Sequence, residues 1–282
     1  MEIQSLSLCV PAGCPNKCKF CVSQMHGDKY ENSHNKPWGH QDFIDRLEYA
    51  RDNGTQCLIL TGNGEPLLNM KFINQFGAFN KGLRNPFRHI EIQTSGVGLD
   101  KEKLLSLRTV GVKTISLSLS APDSETNQEY NQTPKKVKVN IPELCGQIKE
   151  EGFNLRLSLN MTDAWNKMTP GEIFHWADAM GANQVTFRVL YTSGTELPQD
   201  KWVAEHRATD TLIEGINDYV MKHGTALNRL SFGAMKYDVM GISVVVDTDC
   251  MNTEVKNTLK YLILREDCRL YTHWDKKGSL VY

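Results

Sequence analysis

Gly13-Cys14-Pro15-Asn16-Lys17-Cys18-Lys19-Phe20-Cys21 sets three cysteines at C-x3-C-x2-C spacing near the start of the chain. Thiolates this close along one loop can wrap a single compact iron–sulfur cluster. A [4Fe–4S] cube has four irons, so three thiolates leave one iron open to another ligand. An open iron suits chemistry at the cluster better than electron transfer alone. A closed structural zinc site asks for four protein ligands, usually as two spaced pairs, and no second pair accompanies these cysteines. Buried, unreactive thiols are the remaining reading.

The spacing, with aromatic Phe20 directly before the last cysteine, resembles the radical S-adenosylmethionine (radical SAM) superfamily, over about residues 5–190. The resemblance implies that Cys14, Cys18 and Cys21 hold one site-differentiated [4Fe–4S] cluster. It implies that the open iron takes the amino and carboxylate groups of the methionine moiety of SAM. Reductive cleavage of the C5′–S bond then gives methionine and a 5′-deoxyadenosyl radical. Phe20 is expected near the adenine. A flavodoxin- or ferredoxin-like partner is expected to supply the electron.

Bulk properties fit an ordinary enzyme. A chain of 282 residues can bury one large core, or a core plus a small appendage. The formal net charge of −1 gives no global basic field to recruit nucleic acid, though it leaves a local basic patch open. The start, MEIQSLSLCVPAG, lacks a basic region followed by a long apolar one, so no signal peptide is expected. No apolar run approaches membrane-spanning length. Eight cysteines without a secretory signal point to reduced thiols in the cytoplasm.

Short apolar runs alternate with longer amphipathic ones. Strands are expected at 6–10, 57–61, 89–94, 114–120, 154–160 and 184–190, with helices at 41–53, 70–81, 101–107, 141–151 and 170–180 between them. Gly54, Gly111 and Gly152 follow three of these helices, as C-terminal caps often do. Such alternation means βαβ units and a parallel sheet. Six units resemble the partial (βα)6 barrel of the superfamily, an α/β fold assigned to residues 1–195. Residues 196–282 read as a small C-terminal α/β extension covering the barrel opening, with one long helix at 202–223 and strands at 242–247, 261–264 and 269–272.

Active sites of parallel β/α barrels lie at the C-terminal ends of the strands. The second strand ends in Leu60-Thr61-Gly62-Asn63-Gly64-Glu65-Pro66. Glycines let a backbone pass close to a ligand, and Glu65 with nearby carbonyls can receive the methionine ammonium. The run resembles the GGEP motif of the family, with Asn63 in place of a glycine, and Gly62, Gly64, Glu65 and Pro66 are assigned to the SAM pocket. Thr94 and Ser95 end the third strand, and their hydroxyls can reach ribose or the methionine carboxylate. Alternation puts Ser116, Ser118 and Ser120 on one face of the fourth strand, and Ser118 and Ser120 are taken as pocket residues. Asn160 could bind ribose, and Arg188 either reaches the carboxylate or makes a salt bridge in the barrel. His26, His34 and His40 near the cluster loop could line a pocket, but isolated histidines more often sit satisfied at the surface.

Five cysteines remain. Besides Cys9, Cys57 in a strand and Cys145 in an amphipathic helix read as small buried hydrophobes, and Cys250 and Cys268 are too far apart for an auxiliary cluster. The runs 64–69, 94–97 and 118–122 resemble the radical SAM enzymes that methylate adenine C2 in RNA. Those enzymes need two further catalytic cysteines, a role that only Cys250 or Cys268 could fill here. Tyr261-Leu262-Ile263-Leu264 is similar to a run in the nucleotide-dehydrating antiviral members, and glycyl-radical activases share the small size. The favoured expectation is hydrogen abstraction from a small-molecule, nucleotide or peptide substrate, with methylation and glycyl-radical activation as alternatives. The non-enzyme alternative is an iron–sulfur electron carrier or regulator.

Overall fold

The parallel strands alternate in character residue by residue, and this decides how the chain packs. The computed structural model describes residues 2–25, 40–230, 233–245, 254–255, 258–274 and 276–282. In chain order they form β1 (Glu2–Cys9), α1 (Val22–Met25), α2 (His40–Asp52), β2 (Cys57–Thr61), α3 (Met70–Gly82), β3 (His89–Thr94), α4 (Lys101–Val110) and β4 (Val112–Leu119). Next come α5 (Ser124–Tyr130), α6 (Ile141–Glu150), β5 (Asn154–Met161), α7 (Pro170–Ala179) and β6 (Gln184–Val189). The rest comprises α8 (Pro198–His206), α9 (Asp210–His223), β7 (Thr225–Arg229), β8 (Met235–Val239), β9 (Ile242–Val245), β10 (Glu254–Val255), β11 (Thr258–Leu264) and β12 (Leu270–Tyr271).

The strands share one sheet, ordered β10-β11-β1-β2-β3-β4-β5-β6-β9-β8-β7, with β12 on β11. The six strands β1 to β6 are parallel and sequential, the α/β arrangement of a partial (βα)6 barrel, left unclosed. Residues 196–282 extend this sheet at both edges. β11 runs parallel beside β1, and β9 runs parallel beside β6. Among the described residues no helix is long and apolar enough to cross a membrane.

Leu58, Leu60, Ile90, Ile92, Ile115, Leu117, Leu155, Leu157, Val185 and Phe187 are buried and join the main core cluster with helix residues such as Ile73, Leu104, Ile141 and Phe174. The alternate positions on the same strands are Glu91, Gln93, Ser116, Ser118, Arg156, Ser158, Gln184 and Thr186. Period-two geometry sends those to the opposite face, into the barrel interior. A parallel sheet buried on both faces would read as continuous apolar runs, and this one carries a polar inner face instead.

Five of the six expected barrel strands begin within two residues of their expected position, and β2 and β3 match at both ends. β1 starts four residues earlier than expected, because it pairs along its length with β11. Gly111 caps α4 in a left-handed conformation, φ 99°, as expected. The single helix expected at 202–223 is two helices. Arg207 is extended and bridges Thr162, Ala208 donates its N–H to Met161 O at 2.9 Å, and the Thr209 hydroxyl accepts from Leu212 N to start α9 afresh. The β7–β8 hairpin was not foreseen, because every residue of β7 is exposed and the segment carries no alternation. Cys250, His26 and His34 lie outside the described residues, and His40 opens α2.

Candidate active site

The three cysteines follow β1 on a loop at the C-terminal edge of the sheet. That loop is held from three sides. Glu65 N donates to Gly13 O at 2.9 Å, Asn69 Nδ2 donates to Pro11 O at 2.7 Å, and Lys17 N donates to Asn131 O at 3.1 Å. Gly64 is needed here, because a Cβ on it would lie 2.0 Å from Ala12 O and 2.5 Å from Gly13 O. Gly62 sits at φ +153°, where a Cβ would meet Val10 O at 2.9 Å. The glycines of the second strand's loop thus let it lie directly against the cysteine loop. Asn63, which departs from the GGEP pattern, donates to Glu266 Oε1 at 3.3 Å and so ties this loop to the segment after β11.

Cys14, Cys18, Cys21, Phe20, Gly62, Gly64, Glu65, Pro66, Thr94, Ser95, Ser118, Asn160 and Arg188 line one cavity of about 290 Å³. Of the residues assigned to the site from sequence, Ser120 alone is not part of its lining. Ser120 is fully buried and donates its hydroxyl to Asn131 Oδ1 at 2.8 Å, while Asn127 Oδ1 accepts from its N–H at 2.7 Å. It supports Asn131, which lies 3.5 Å through its carbonyl oxygen from Cys18 Sγ. Asn131, Asn127 and the loop residue Asn16 are the residues that sequence reasoning missed. For Asn127 and Asn131 the signal was the Asp123 cap, which accepts from Thr126 N and starts α5, with these two one and two turns on.

No group of three His, Cys, Asp or Glu side chains among the described residues converges on a single-ion site. The three thiols line one cavity and none is in a disulfide. Three thiols around one cavity fit a cluster, in which each thiolate takes its own iron, whereas a closed zinc site asks for four protein ligands. Burial, with Cys21 and Cys14 adding to it, pushes the Cys18 thiol up to about 12. Burial likewise raises Cys14. Iron bound here would offset both effects, since a coordinating thiol is deprotonated by its metal.

Glu65 is 3% exposed, and its carboxylate is saturated. Thr94 Oγ1 donates to Oε1 at 2.6 Å and Leu67 N donates to the same atom at 3.2 Å. Ser95 N and Oγ donate to Oε2 at 2.8 and 2.6 Å. Burial raises its pKa and the donors from Ser95 and Thr94 oppose that rise. Within the chain this carboxylate clamps the ends of β2 and β3 together, and Glu65 still lines the cavity. Arg188 makes no ion pair among the described residues, so the salt-bridge reading finds no partner there; the interior ion pair is Arg156 Nη1 with Glu91 Oε2, at 2.5 Å.

Phe20 packs against Trp202 of α8, ring centroids 5.6 Å apart. Trp202 stacks on His206 at 4.5 Å and meets Tyr130 edge-on at 5.8 Å. Helix α8 thereby braces the cysteine loop. Cys268 is 8% exposed, belongs to the main core cluster and lines neither this cavity nor the barrel interior. Burial pushes its thiol up to about 11, with Asp42 and Asp267 adding to it and Arg46 opposing. Cys9 and Cys145 are buried, whereas Cys57 is half-buried and lines the interior, contrary to the role expected for it.

The family model of the radical SAM superfamily matches residues 8–161. A probable dual-specificity RNA methyltransferase RlmN of Clostridioides difficile (strain 630) is 30% identical over 129 residues, 44% of this chain and 36% of that protein. Streptococcus suis SuiB bound to S-adenosylmethionine superposes with a TM-score of 0.63 at 15% identity, over 97% of this chain and 60% of that one. Native anSMEcpe with bound AdoMet gives a TM-score of 0.61 at 13% identity, over 98% of this chain and 77% of that one. The chain thus spans about a third of the curated relative and three fifths of SuiB. Enzymes of the matched family use a [4Fe–4S] cluster and SAM, and the cysteines, glycine loop and strand ends that line this cavity fit both. By its family match, with a fold that agrees, this chain is an enzyme of the radical SAM superfamily.

Proposed function

We propose that Cys14, Cys18 and Cys21 hold the cluster, that the remaining cavity residues seat SAM, and that the enzyme abstracts hydrogen from a small-molecule, nucleotide or peptide substrate. The observation that carries this reading is one cavity lined by all three thiols, the Gly62–Pro66 loop and the ends of β3 to β6. When bound and reduced, the cluster and SAM supply a 5′-deoxyadenosyl radical. The protein's own task is placement. Glu65 fixes Thr94 and Ser95, Asn131 and Gly64 fix the cysteine loop, and Phe20 on its Trp202 support offers an apolar face to a base. Holding reactants in register is worth several orders of magnitude in rate. An exchangeable flavodoxin- or ferredoxin-like donor supplies the electron. Under anaerobic conditions with reductant, the reconstituted protein is expected to form 5′-deoxyadenosine, and substrate in a cell metabolite extract is expected to increase it. Neither forming would refute the reading.

The likeness to the RNA methyltransferase favours methylation as a second reading. That chemistry asks for a cysteine that carries a methyl group at the reacting site. Cys268 is buried away from the cavity, which leaves Cys250, outside the described residues, as the cysteine this second reading would need.

A further inference from the structure

Below the SAM cavity lies a second one of about 290 Å³, inside the barrel. The two share Gln93 and Arg188 in their walls, so they adjoin. Strand register stacks the lower cavity in rows. Gln93, Ser116, Arg156, Gln184 and Ser243 form one row across β3, β4, β5, β6 and β9. Ser118, Ser158 and Thr186 form the next, and Asn160 with Arg188 the one above.

Closed β/α barrels fill this space with branched apolar side chains. Here the walls are polar and the space is open. Among the described residues, four cationic side chains, Arg156, Arg188, Lys236 and Lys260, line it with one acid, Glu91. Arg156 is committed to Glu91, which leaves a surplus of positive charge near Arg188 and Lys236. Ser116 and Ser158 are each 1% exposed and Glu91 is 4% exposed, yet Ser116 Oγ, Ser158 Oγ and Glu91 Oε1 have no hydrogen-bond partner among the described residues. Buried polar atoms left unpaired are costly and call for a partner. Three of them belong to residues in the walls of this one cavity.

We infer that this chamber is the substrate site and that it takes a small polar acid, with its phosphate or carboxylate toward Arg188 and Lys236 and a hydroxyl or amino donor toward Glu91. The inference rests on SAM occupying the cavity above. A volume near 300 Å³ is the size of a small-molecule pocket. An acid deep in the barrel places its middle carbons beneath the SAM cavity, where a radical formed above would reach them.

Anaerobically reconstituted protein, with and without SAM, would be titrated calorimetrically with ribose 5-phosphate, gluconate and glutamate. Their neutral counterparts ribose, glucose and glutamine serve as controls. At least one acid is expected to bind, with its neutral counterpart at least tenfold weaker. Lys236→Gln and Arg188→Gln are each expected to weaken that acid about tenfold or more, whereas Lys113→Gln, at an exposed site on β4, leaves it unchanged. Binding of none of the acids, equal binding of the neutral partners, or indifference to both chamber substitutions would overturn the inference. Failure of SAM itself to bind would instead overturn the reading of the upper cavity, and the titrations without SAM keep the two failures apart.

Discussion

At the scale of single residues, the site is built of side chains that hold one another. Glu65 shows this best, because its four hydrogen bonds define the ends of two strands. Glu65→Ala is expected to keep its iron but weaken SAM by about 1.5–3 kcal/mol, roughly ten- to hundredfold, since the removed partner is a charged acceptor. Anaerobic titration calorimetry with SAM checks this, and an unchanged affinity would show that the clamp does not shape the pocket. Residue identity alone made the cysteines and the glycine loop legible, because few other roles fit their spacing. Ser120 was placed in the pocket by alternation along β4, but it lies one residue past the strand and turns into the asparagine network below Cys18. The Asp123 cap marked the helix that carries Asn131 but not its role, which depends on a partner 113 residues away.

At the scale of elements, close backbone approach sets the tolerances. Gly64→Ala would drive a methyl group into the carbonyls of Ala12 and Gly13 and is expected to displace the cysteine loop. Reconstituted Gly64→Ala should hold clearly less iron than the wild type. Gly82→Ala, where a Cβ would meet nothing within 4 Å, should hold the same iron and be no less stable, with a gain of up to about 1 kcal/mol. Equal iron in both variants would contradict the fit of the two loops. The aromatic brace acts at this scale too. Trp202→Ala frees Phe20 beside Cys21, and the brown cluster is expected to bleach faster in air than in the wild type. The strands of the barrel were legible because apolar outer positions packed under helices leave a period of two in the sequence. The break between α8 and α9 was not, because Arg207 is drawn extended by a bridge to Thr162 on a distant loop.

At the scale of the whole molecule, the C-terminal segment supplies β11 to one edge of the barrel sheet and β9 to the other. A chain ended after Thr195 would bare both edges and lose Trp202. It is expected to lack a cooperative thermal transition by circular dichroism, and a sharp transition would show that residues 1–195 stand alone. Protein isolated from cells is expected to carry no S-methylcysteine at Cys250 or Cys268 by mass spectrometry, and detection of that adduct would favour the methylating reading. The central claim is that three cysteines and one cavity cleave SAM. It is tested most directly by quantifying 5′-deoxyadenosine from anaerobically reconstituted protein given SAM and dithionite, beside Cys18→Ala treated identically. The account predicts about four irons per chain and 5′-deoxyadenosine for the wild type, and neither for Cys18→Ala. An intact cluster and undiminished 5′-deoxyadenosine in Cys18→Ala would contradict it.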